Sequence, residues 1–357
     1  DGQKGGKIKI QAAAGTLLAD GQVTARGNSG AGGAIQLLGN QVGLVNAVEV
    51  DASGATGGGT INIGGSQQGA GPLPNSRALY IGADAQVNAS ATANGDGGTI
   101  IVYADEAARI YGYLSARGGV QGGNGGFIET SGKQYLDLLR TPDATAVAGR
   151  GGQWLIDPNN ILIVSTLGTC TNLSGCSAGP TWATTNDSAQ LGVNLINAAL
   201  NGGQSVTITT ATTGTNTQPG NITFQSGANI SKTAGADASL TLSAHNDINT
   251  TGATIGATAG RLNVVLTADS DSSGVGNVVI GSAVTTRGGS FTATGASISG
   301  AGALSTVGGA NGDGGNVNLS ASTGNLSVGA ITTTGGTANA GTAGRNAGNV
   351  TINSAGA

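Results

Sequence analysis

The stretch Gly58-Gly59-Thr60-Ile61-Asn62-Ile63 shows the pattern from which we predict the fold of this chain. Two glycines precede a short run in which apolar and polar residues alternate, as in a β-strand with one buried face. Successive copies begin 26 to 28 residues apart, with one longer step of 39 residues. A repeat of this length is typical of a solenoid, whose units bury their apolar faces against one another. The copies lie at residues 5–10, 32–37, 58–63, 97–102, 125–128 and 151–156.

Each repeat also contains a second strand that ends in a shared turn, as in Val23-Thr24-Ala25-Arg26-Gly27. The long step between two copies must therefore contain an insertion of about twelve residues. We place this insertion at residues 66–77, where Pro72 and Pro74 interrupt the alternation because proline cannot donate a ladder hydrogen bond. The related second strands lie at residues 50–54, 87–91 and 114–118.

The composition also favours a narrow stacked fold. The chain has 357 residues, 68 of them glycine, and only 9% of its residues are charged. Disorder is the alternative for such a chain, but the alternating runs favour many short strands. Glycines suit corners at which backbones approach closely. We therefore predict an all-β fold, a parallel β-helix, with regular coils over residues 1–156.

The repeat lapses near residue 157, and residues 157–205 form an irregular segment. Cys170 and Cys176 are the only cysteines and lie in a polar loop. They predict a local disulfide in an exported protein, with two free buried thiols as the alternative.

A short helix is predicted at residues 187–202, because Leu191 and Leu195 recur at helical spacing. Asn186 or Asp187 can cap its beginning, and Gly202 can close its end. Alternating runs then resume, and they predict further β-helix coils over residues 206–357.

Three stretches resemble a known family. Residues 151–163, Gly-Gly-Gln-Trp-Leu-Ile-Asp-Pro-Asn-Asn-Ile-Leu-Ile, are similar to a stretch of filamentous-haemagglutinin-like exoproteins of the two-partner secretion pathway, which include the high-molecular-weight adhesins. Residues 195–208 and 262–269 also resemble that family. The resemblance implies a right-handed parallel β-helix, secreted or held at the bacterial cell surface, with an adhesive or spacing role in attachment or biofilm.

The resemblance also implies partners. An outer-membrane two-partner transporter would export the chain by recognising an N-terminal domain that is not visible here, so we expect a segment of a longer protein. The expected ligand is a glycan or protein on a host or bacterial surface. Because both ends read as bare coils, end-to-end stacking into an extracellular filament is an alternative function.

Other classes of function find little support in the sequence. The net charge of −4 gives no basic surface for nucleic acid, and no apolar run approaches the roughly 18 residues of a membrane span. We predict neither a cofactor nor a metal. Residues 308–313 are similar to a calcium-binding nonapeptide, but that pattern does not iterate, and corner glycines explain it.

A polysaccharide-degrading enzyme is the alternative from another class, since it needs clustered carboxylates in one groove. The acids here are scattered. Asp105 and Glu106 are neighbours predicted outside a repeat strand, Asp269 and Asp271 are predicted in a turn, and His245 is expected to be solvated. We therefore predict no catalytic residues.

Binding is expected where the chain leaves the regular coils, because loops on a rigid scaffold often carry function. Tyr111 and Tyr113 lie two residues apart and are predicted to face one side of a strand, where a stabilising stack is the alternative to sugar binding. Trp154 is predicted to fill the core. The candidate ligand contacts are Pro72, Pro74, Arg77, Tyr111, Tyr113, Asn172 and Trp182.

Asparagine sequons are frequent, and some adhesins of the resembling family are glycosylated at such sites. Chance alone explains many of them in a chain this rich in asparagine, serine and threonine. The candidates are Asn88, Asn172, Asn186, Asn221, Asn229, Asn249, Asn318, Asn325 and Asn349.

Overall fold

A computed structural model describes residues 3–166, 180, 182, 189–211, 218–340 and 343–355. This part of the chain is all-β, with parallel sheets and one α-helix, α1 (Val193–Asn201). No helix in it has the length and apolarity that a membrane crossing requires. The strands are β1 (Lys7–Ala19), β2 (Gln22–Thr24), β3 (Ala34–Leu44), β4 (Glu49–Asp51), β5 (Thr60–Ile63), β6 (Ser76–Ile81), β7 (Gln86–Asn88), β8 (Thr99–Ile110), β9 (Tyr113–Ser115), β10 (Phe127–Gly132), β11 (Tyr135–Leu138), β12 (Gln153–Ile156), β13 (Ile161–Val164), β14 (Ala189–Gly192), β15 (Ser205–Thr209), β16 (Ile222–Phe224), β17 (Ile230–Lys232), β18 (Ala238–Ser243), β19 (Ile248–Asn249), β20 (Ile255–Ala257), β21 (Leu262–Thr267), β22 (Asn277–Val279), β23 (Val284–Thr285), β24 (Phe291–Gly295), β25 (Ser297–Ser299), β26 (Leu304–Ser305), β27 (Val317–Ala321), β28 (Ile331–Thr332) and β29 (Val350–Ser354).

The chain divides into two compact units. The first unit contains residues 1–158 and 167–191, and the second contains residues 159–166 and 192–357.

In the first unit, the strands that follow the glycine pairs form one parallel ladder in the order β1-β3-β5-β8-β10-β12. Equivalent residues of successive repeats are register partners, and one such row is Ile8, Ile35, Ile61, Ile100, Ile128 and Trp154. From Ile35 onward every side chain of this row is fully buried. The predicted parallel strands are therefore confirmed, and Trp154 fills the core at the last position of its row.

Close backbone approach explains the paired glycines. A Cβ atom on Gly33 would overlap the carbonyl oxygen of Gly6, and one on Gly59 would overlap that of Gly33. A side chain at these positions would push successive repeats apart, so only glycine fits.

The second strands of the repeats form another parallel sheet in the first unit, β2-β4-β7-β9. Its central row aligns Val23, Val50, Val87 and Leu114. Both predicted strands of the repeat are therefore present.

The insertion divides one strand of the ladder into two, β5 and β6. Residues 34–37 of β3 pair with β5, whereas residues 41–44 of the same strand pair with β6. The chain between β5 and β6 leaves the sheet at Gly64 and returns at Ser76, and it contains a single 3₁₀ turn at Gln67–Gly69. This insertion loop, residues 64–75, is absent from the other repeats.

The second unit contains three parallel ladders, in the orders β15-β18-β21-β24-β27-β29, β13-β16-β19-β22-β25 and β17-β20-β23-β26-β28. Buried and half-exposed residues alternate strictly along β18 and β21. Polar side chains add a second set of links between repeats. The Oδ1 atom of Asn221 accepts the backbone N–H of Asp247 at 3.0 Å, and Oδ1 of Asp247 accepts that of Asn277 at 2.7 Å.

The predicted helix is confirmed, but its predicted beginning is wrong. Residues 189–192 are extended as β14, and α1 begins after Gly192, which makes no side-chain capping bond. The helix ends at the predicted Gly202, and the positive φ that terminates it is at Gly203. The alternating burial of β14 overrides local helix propensity there.

Candidate functional site

The outer face of the ladder in the first unit carries most of the predicted site residues that the structure describes. On β8, β10 and β12 the inward row is apolar, but the outward row is also buried. Ile101, Glu129 and Leu155 are register partners in that outward row, and none is more than 5% exposed. The insertion loop lies against Glu129 of this row and against Tyr103 of β8. We call Tyr103, Glu129, Ser131, Lys133 and Asp157, all of them buried, the covered cluster.

Glu129 holds the insertion loop to the sheet. Its Oε1 and Oε2 atoms accept the backbone N–H of Gln68 at 3.0 and 3.1 Å, and Ser131 Oγ donates to Oε1 at 2.8 Å. Glu129 is 0% exposed. Burial raises the pKa of Glu129 to about 7, although the hydrogen bonds from Ser131 and Gln68 act in the opposite direction. The carboxyl group is therefore a structural anchor that has no solvent-facing edge.

Tyr103 and Asn75 complete the contact between loop and sheet. Asp105 Oδ1 accepts hydrogen bonds from Tyr103 Oη and from Asn75 Nδ2, each at 3.1 Å. Burial, with the nearby charge of Asp105, raises the pKa of Tyr103. Asp105 and Glu106 lie within β8, so their predicted position outside a repeat strand is wrong. At this point the register with β6 shifts, so that Asp105 and Glu106 lie opposite the single residue Arg77.

A buried ion pair lies beside Glu129. Lys133 Nζ contacts Asp157 Oδ2 at 2.6 Å, and the two side chains are 5% and 3% exposed. Nearby, Trp154 Nε1 donates to Thr130 Oγ1 at 2.8 Å, and the indole is fully buried. The predicted core position of Trp154 is confirmed.

Tyr111 and Tyr113 do not face the same side, contrary to the prediction. Tyr111 is 3% exposed and Tyr113 is 51% exposed. Strand β8 ends at Ile110 and β9 begins at Tyr113, so a bend at Gly112 breaks the two-residue alternation between the tyrosines. A Cβ atom at Gly112 would approach the carbonyl oxygen of Ala85 too closely, which explains the glycine.

Tyr111 belongs to a stabilising aromatic stack, which was the alternative to sugar binding. Its ring packs edge-to-face on Tyr80 with centroids 5.8 Å apart, and its hydroxyl donates to Asp137 Oδ2 at 2.7 Å. Trp182, half-buried, packs against this pair with Leu139. Burial and the Asp137 charge raise the pKa of Tyr111.

Tyr113 is the exposed aromatic residue of this face. The guanidinium of Arg140 lies over its ring, 4.1 Å from the centroid, while Arg140 Nε donates to the carbonyl oxygen of Tyr111 at 3.2 Å. An aromatic ring backed by a fixed cation can contact a sugar ring or a peptide side chain.

Of the three candidates predicted on the insertion, two lie on the insertion loop and Arg77 lies in β6. Pro72 and Pro74 are exposed on the loop. Arg77 is half-buried at the start of β6, where its Nη1 contacts Glu106 Oε2 at 2.8 Å. The structure thus brings Arg77 close to the covered cluster but separates it from Tyr113 along β8.

Several predictions fall outside the described residues. They concern the disulfide of Cys170 and Cys176, the ligand contact Asn172, and the sequons at Asn172 and Asn186. Each stays a prediction. The seven other sequon asparagines are not buried: Asn88, Asn221 and Asn249 are half-buried, and Asn229, Asn318, Asn325 and Asn349 are exposed.

The second unit contains an open groove with a volume of about 370 Å³, lined by Thr267, Thr294 and Ser322 and by the turn after Ala268. Asp269 holds this turn, since its Oδ1 atom accepts the Ser273 hydroxyl at 3.0 Å. His245 is not simply solvated as predicted, because its Nε2 atom lies 3.4 Å from Asp271 Oδ2. Across the described ranges, no group of three His, Cys, Asp or Glu side chains could hold a metal ion.

Sequence reasoning missed the covered cluster. The alternation predicts strands with one buried face, whereas Ile101, Glu129 and Leu155 alternate with the inward row and are all buried. Two features of the sequence could have indicated it. Apolar residues, Ile101 and Leu155, occupy outward positions on β8 and β12, and a proline-containing insertion precedes β8.

No protein-family model matches this chain, and a search of curated proteins finds no match either.

Proposed function

We propose that this chain is a secreted, surface-associated β-helical adhesin, or the stalk segment of one, that mediates or spaces attachment to host cells, other bacteria or matrix. Its fold would be a right-handed parallel β-helix. Parallel pairing of equivalent strands in successive repeats supports this fold, as does the strong preference of parallel crossovers for the right hand.

One observation carries the proposal. The first unit combines a ladder of in-register repeats with exposed groups on its outer face, namely Tyr113 over Arg140 and the prolines of the insertion loop. A ladder with buried rows on both faces is a rigid support, and ligand contacts on such supports come from the loops and exposed aromatic residues they hold.

The carboxylates of the covered cluster do not favour the enzyme alternative. Glu129 and Asp157 are buried and hydrogen-bonded to the protein itself. A general acid must come within hydrogen-bonding distance of the substrate, and these groups cannot do so while the loop covers them.

Bead adhesion tests the proposal. Beads coated with the purified chain should bind epithelial cells, bacteria or matrix proteins more strongly than albumin-coated beads. Tyr113→Ser and Arg77→Ala should each lower binding several-fold, whereas Val147→Ser, which alters an exposed apolar residue away from both groups, should not. Retained binding in all variants would support adhesion while rejecting these residues. Failure to bind any surface would contradict the adhesive role, and the chain would then be the stalk segment of an adhesin.

A further inference from the structure

Lys133 and Asp157 are positioned as reactants. Lys133 follows β10, and Asp157 follows β12, the next strand of the same ladder. The Nζ and Oδ2 atoms are 2.6 Å apart, and both side chains are almost completely buried. Removing an ammonium and a carboxylate from water carries a desolvation penalty that mutual attraction often fails to offset. Condensation of an amine with a carboxyl group requires the neutral amine and the carboxylic acid, which the passage of one proton across this contact would supply.

A third titratable group faces this pair. Glu129 is the register partner of Leu155, and Asp157 follows Leu155 by two residues, just after the end of β12. Electrostatic coupling links Glu129 to both Asp157 and Lys133, and burial raises the pKa of Glu129 to about 7. Glu129 can therefore give and take a proton near neutral pH. Tyr103, whose ring is also coupled to Glu129 and Asp157, adds an aromatic wall.

We propose that Lys133 and Asp157 become joined by an intramolecular isopeptide bond, formed by the folded chain itself with Glu129 as the proton-transferring group.

The step is a condensation. The neutral amine of Lys133 attacks Cγ of the protonated Asp157 carboxyl group while Glu129 donates a proton to its carbonyl oxygen. The tetrahedral intermediate then loses a proton from nitrogen to Glu129. Glu129 passes this proton to one of the two hydroxyl groups, which leaves as water, and the other hydroxyl group gives its proton to Glu129 as the carbonyl group re-forms. One C–N bond forms, one C–O bond breaks, one water is released, and Glu129 ends in its starting protonation state. No oxidant, metal or co-reactant is required.

The bond would have a mechanical consequence. It would close a covalent loop between residues 24 apart in sequence and tie the last glycine-pair repeat of the first unit to the one before it. Pulling the chain could then no longer separate these two strands. The chemistry does not depend on the adhesive role, because it requires only that the covered cluster forms.

Mass spectrometry of the purified chain tests the proposal. After reduction of cysteines, the intact mass should be lower than the sequence mass by one water molecule. Tryptic digestion should give a branched peptide that joins the segments containing Lys133 and Asp157, with no cleavage after Lys133. Succinimide formation at Asp-Gly steps, such as Asp96-Gly97 and Asp313-Gly314, causes the same mass change. Brief treatment at alkaline pH reverses a succinimide and leaves the isopeptide bond intact.

Variants test the role of Glu129. Each mass is compared with its own sequence mass, and folding is checked by circular dichroism. Glu129→Gln keeps an acceptor for the Gln68 amide but cannot exchange a proton, so bond formation should slow at least about a hundredfold. Glu129→Asp should restore part of the bond, which a purely structural role would not predict. Lys133→Arg should abolish it. A wild-type chain of full sequence mass, or a water loss confined to Asp-Gly steps, would overturn the proposal and leave an ion pair.

Discussion

In β8 and β10 of the first unit, almost every residue is buried, whichever face of the strand it occupies. In β18 and β21 of the second unit, buried residues alternate strictly with half-exposed ones. Both pairs of strands come from the same kind of parallel ladder with the same register rule. The difference lies in what covers the outer face, which in the first unit is the insertion loop.

The two units also differ in which charged side chains they bury. The first unit buries Arg109, Glu129, Lys133 and Asp157, all with partners within that unit. The second unit buries Lys232, whose Nζ donates to the carbonyl oxygen of Ala234 at 2.6 Å, and burial lowers the pKa of this lysine. A regular ladder can thus gain a chemically distinct second face through one local insertion, without changing its inner rows.

The inner rows should be equally important in both units. Trp154→Ala and Phe291→Ala each remove a fully buried aromatic side chain, and each should lower the free energy of unfolding by about 3–5 kcal/mol. Chemical denaturation followed by far-ultraviolet circular dichroism measures both. If Trp154→Ala cost less than half as much as Phe291→Ala, the assignment of Trp154 to the core would be wrong.

The outer rows should differ between the units. Ile101→Ala, at a covered outward position, should lower the free energy of unfolding by about 2–5 kcal/mol. Val265→Ala is the matched change at a half-exposed outward position of β21, and it should cost less than about 1 kcal/mol. Equal losses would show that the insertion loop does not seal the outer face in solution.

The pH dependence of the free energy of unfolding should also show that Glu129 is buried under the insertion loop. The pKa of Glu129 is about 7 in the folded chain and near 4.5 in the unfolded chain. Because folding raises this pKa, the stability due to the protonated group is complete below about pH 4.5 and is lost as the pH rises through 7. The loss should reach about 3 kcal/mol by pH 8.

Glu129→Gln isolates that effect when both chains also carry Lys133→Arg, because neither chain can then form the isopeptide bond and all other titrating groups are the same. Denaturation curves at pH 4.5, 6, 7 and 8 should show a slope for the chain with Glu129 that the Glu129→Gln chain lacks. Identical pH profiles for the two chains would mean that Glu129 is in contact with water.

The smallest effect is expected at the edge of the covered face. Arg77 and Glu106 are each about one-third exposed, so Arg77→Ala should change the free energy of unfolding by less than about 1 kcal/mol. Thermal unfolding measures the change, and Glu106→Gln should match it. A loss above about 2 kcal/mol would place this pair inside the covered cluster rather than at its edge.

Much of the fold follows from local pattern. The glycine pairs and the alternating runs identified the ladder strands, because close backbone approach and one-sided burial leave a direct mark on sequence. The orientations of the Tyr111 and Tyr113 side chains could not be predicted in the same way. Their spacing implies a shared face only if the strand continues between them, and the bend at Gly112 depends on how closely Ala85 of the preceding repeat approaches.

The repeat length, the buried inner rows, the place of the insertion and the end of the helix at Gly202 were thus determined by the sequence itself. Only the tertiary structure decided that the insertion loop folds back against Tyr103 of β8 and Glu129 of β10, and that Lys133 and Asp157 are buried as a pair. Alternation within a strand records which residues share a face. It does not record whether water or another part of the chain lies against that face, because that depends on contacts between residues distant in sequence, such as Gln68 and Glu129.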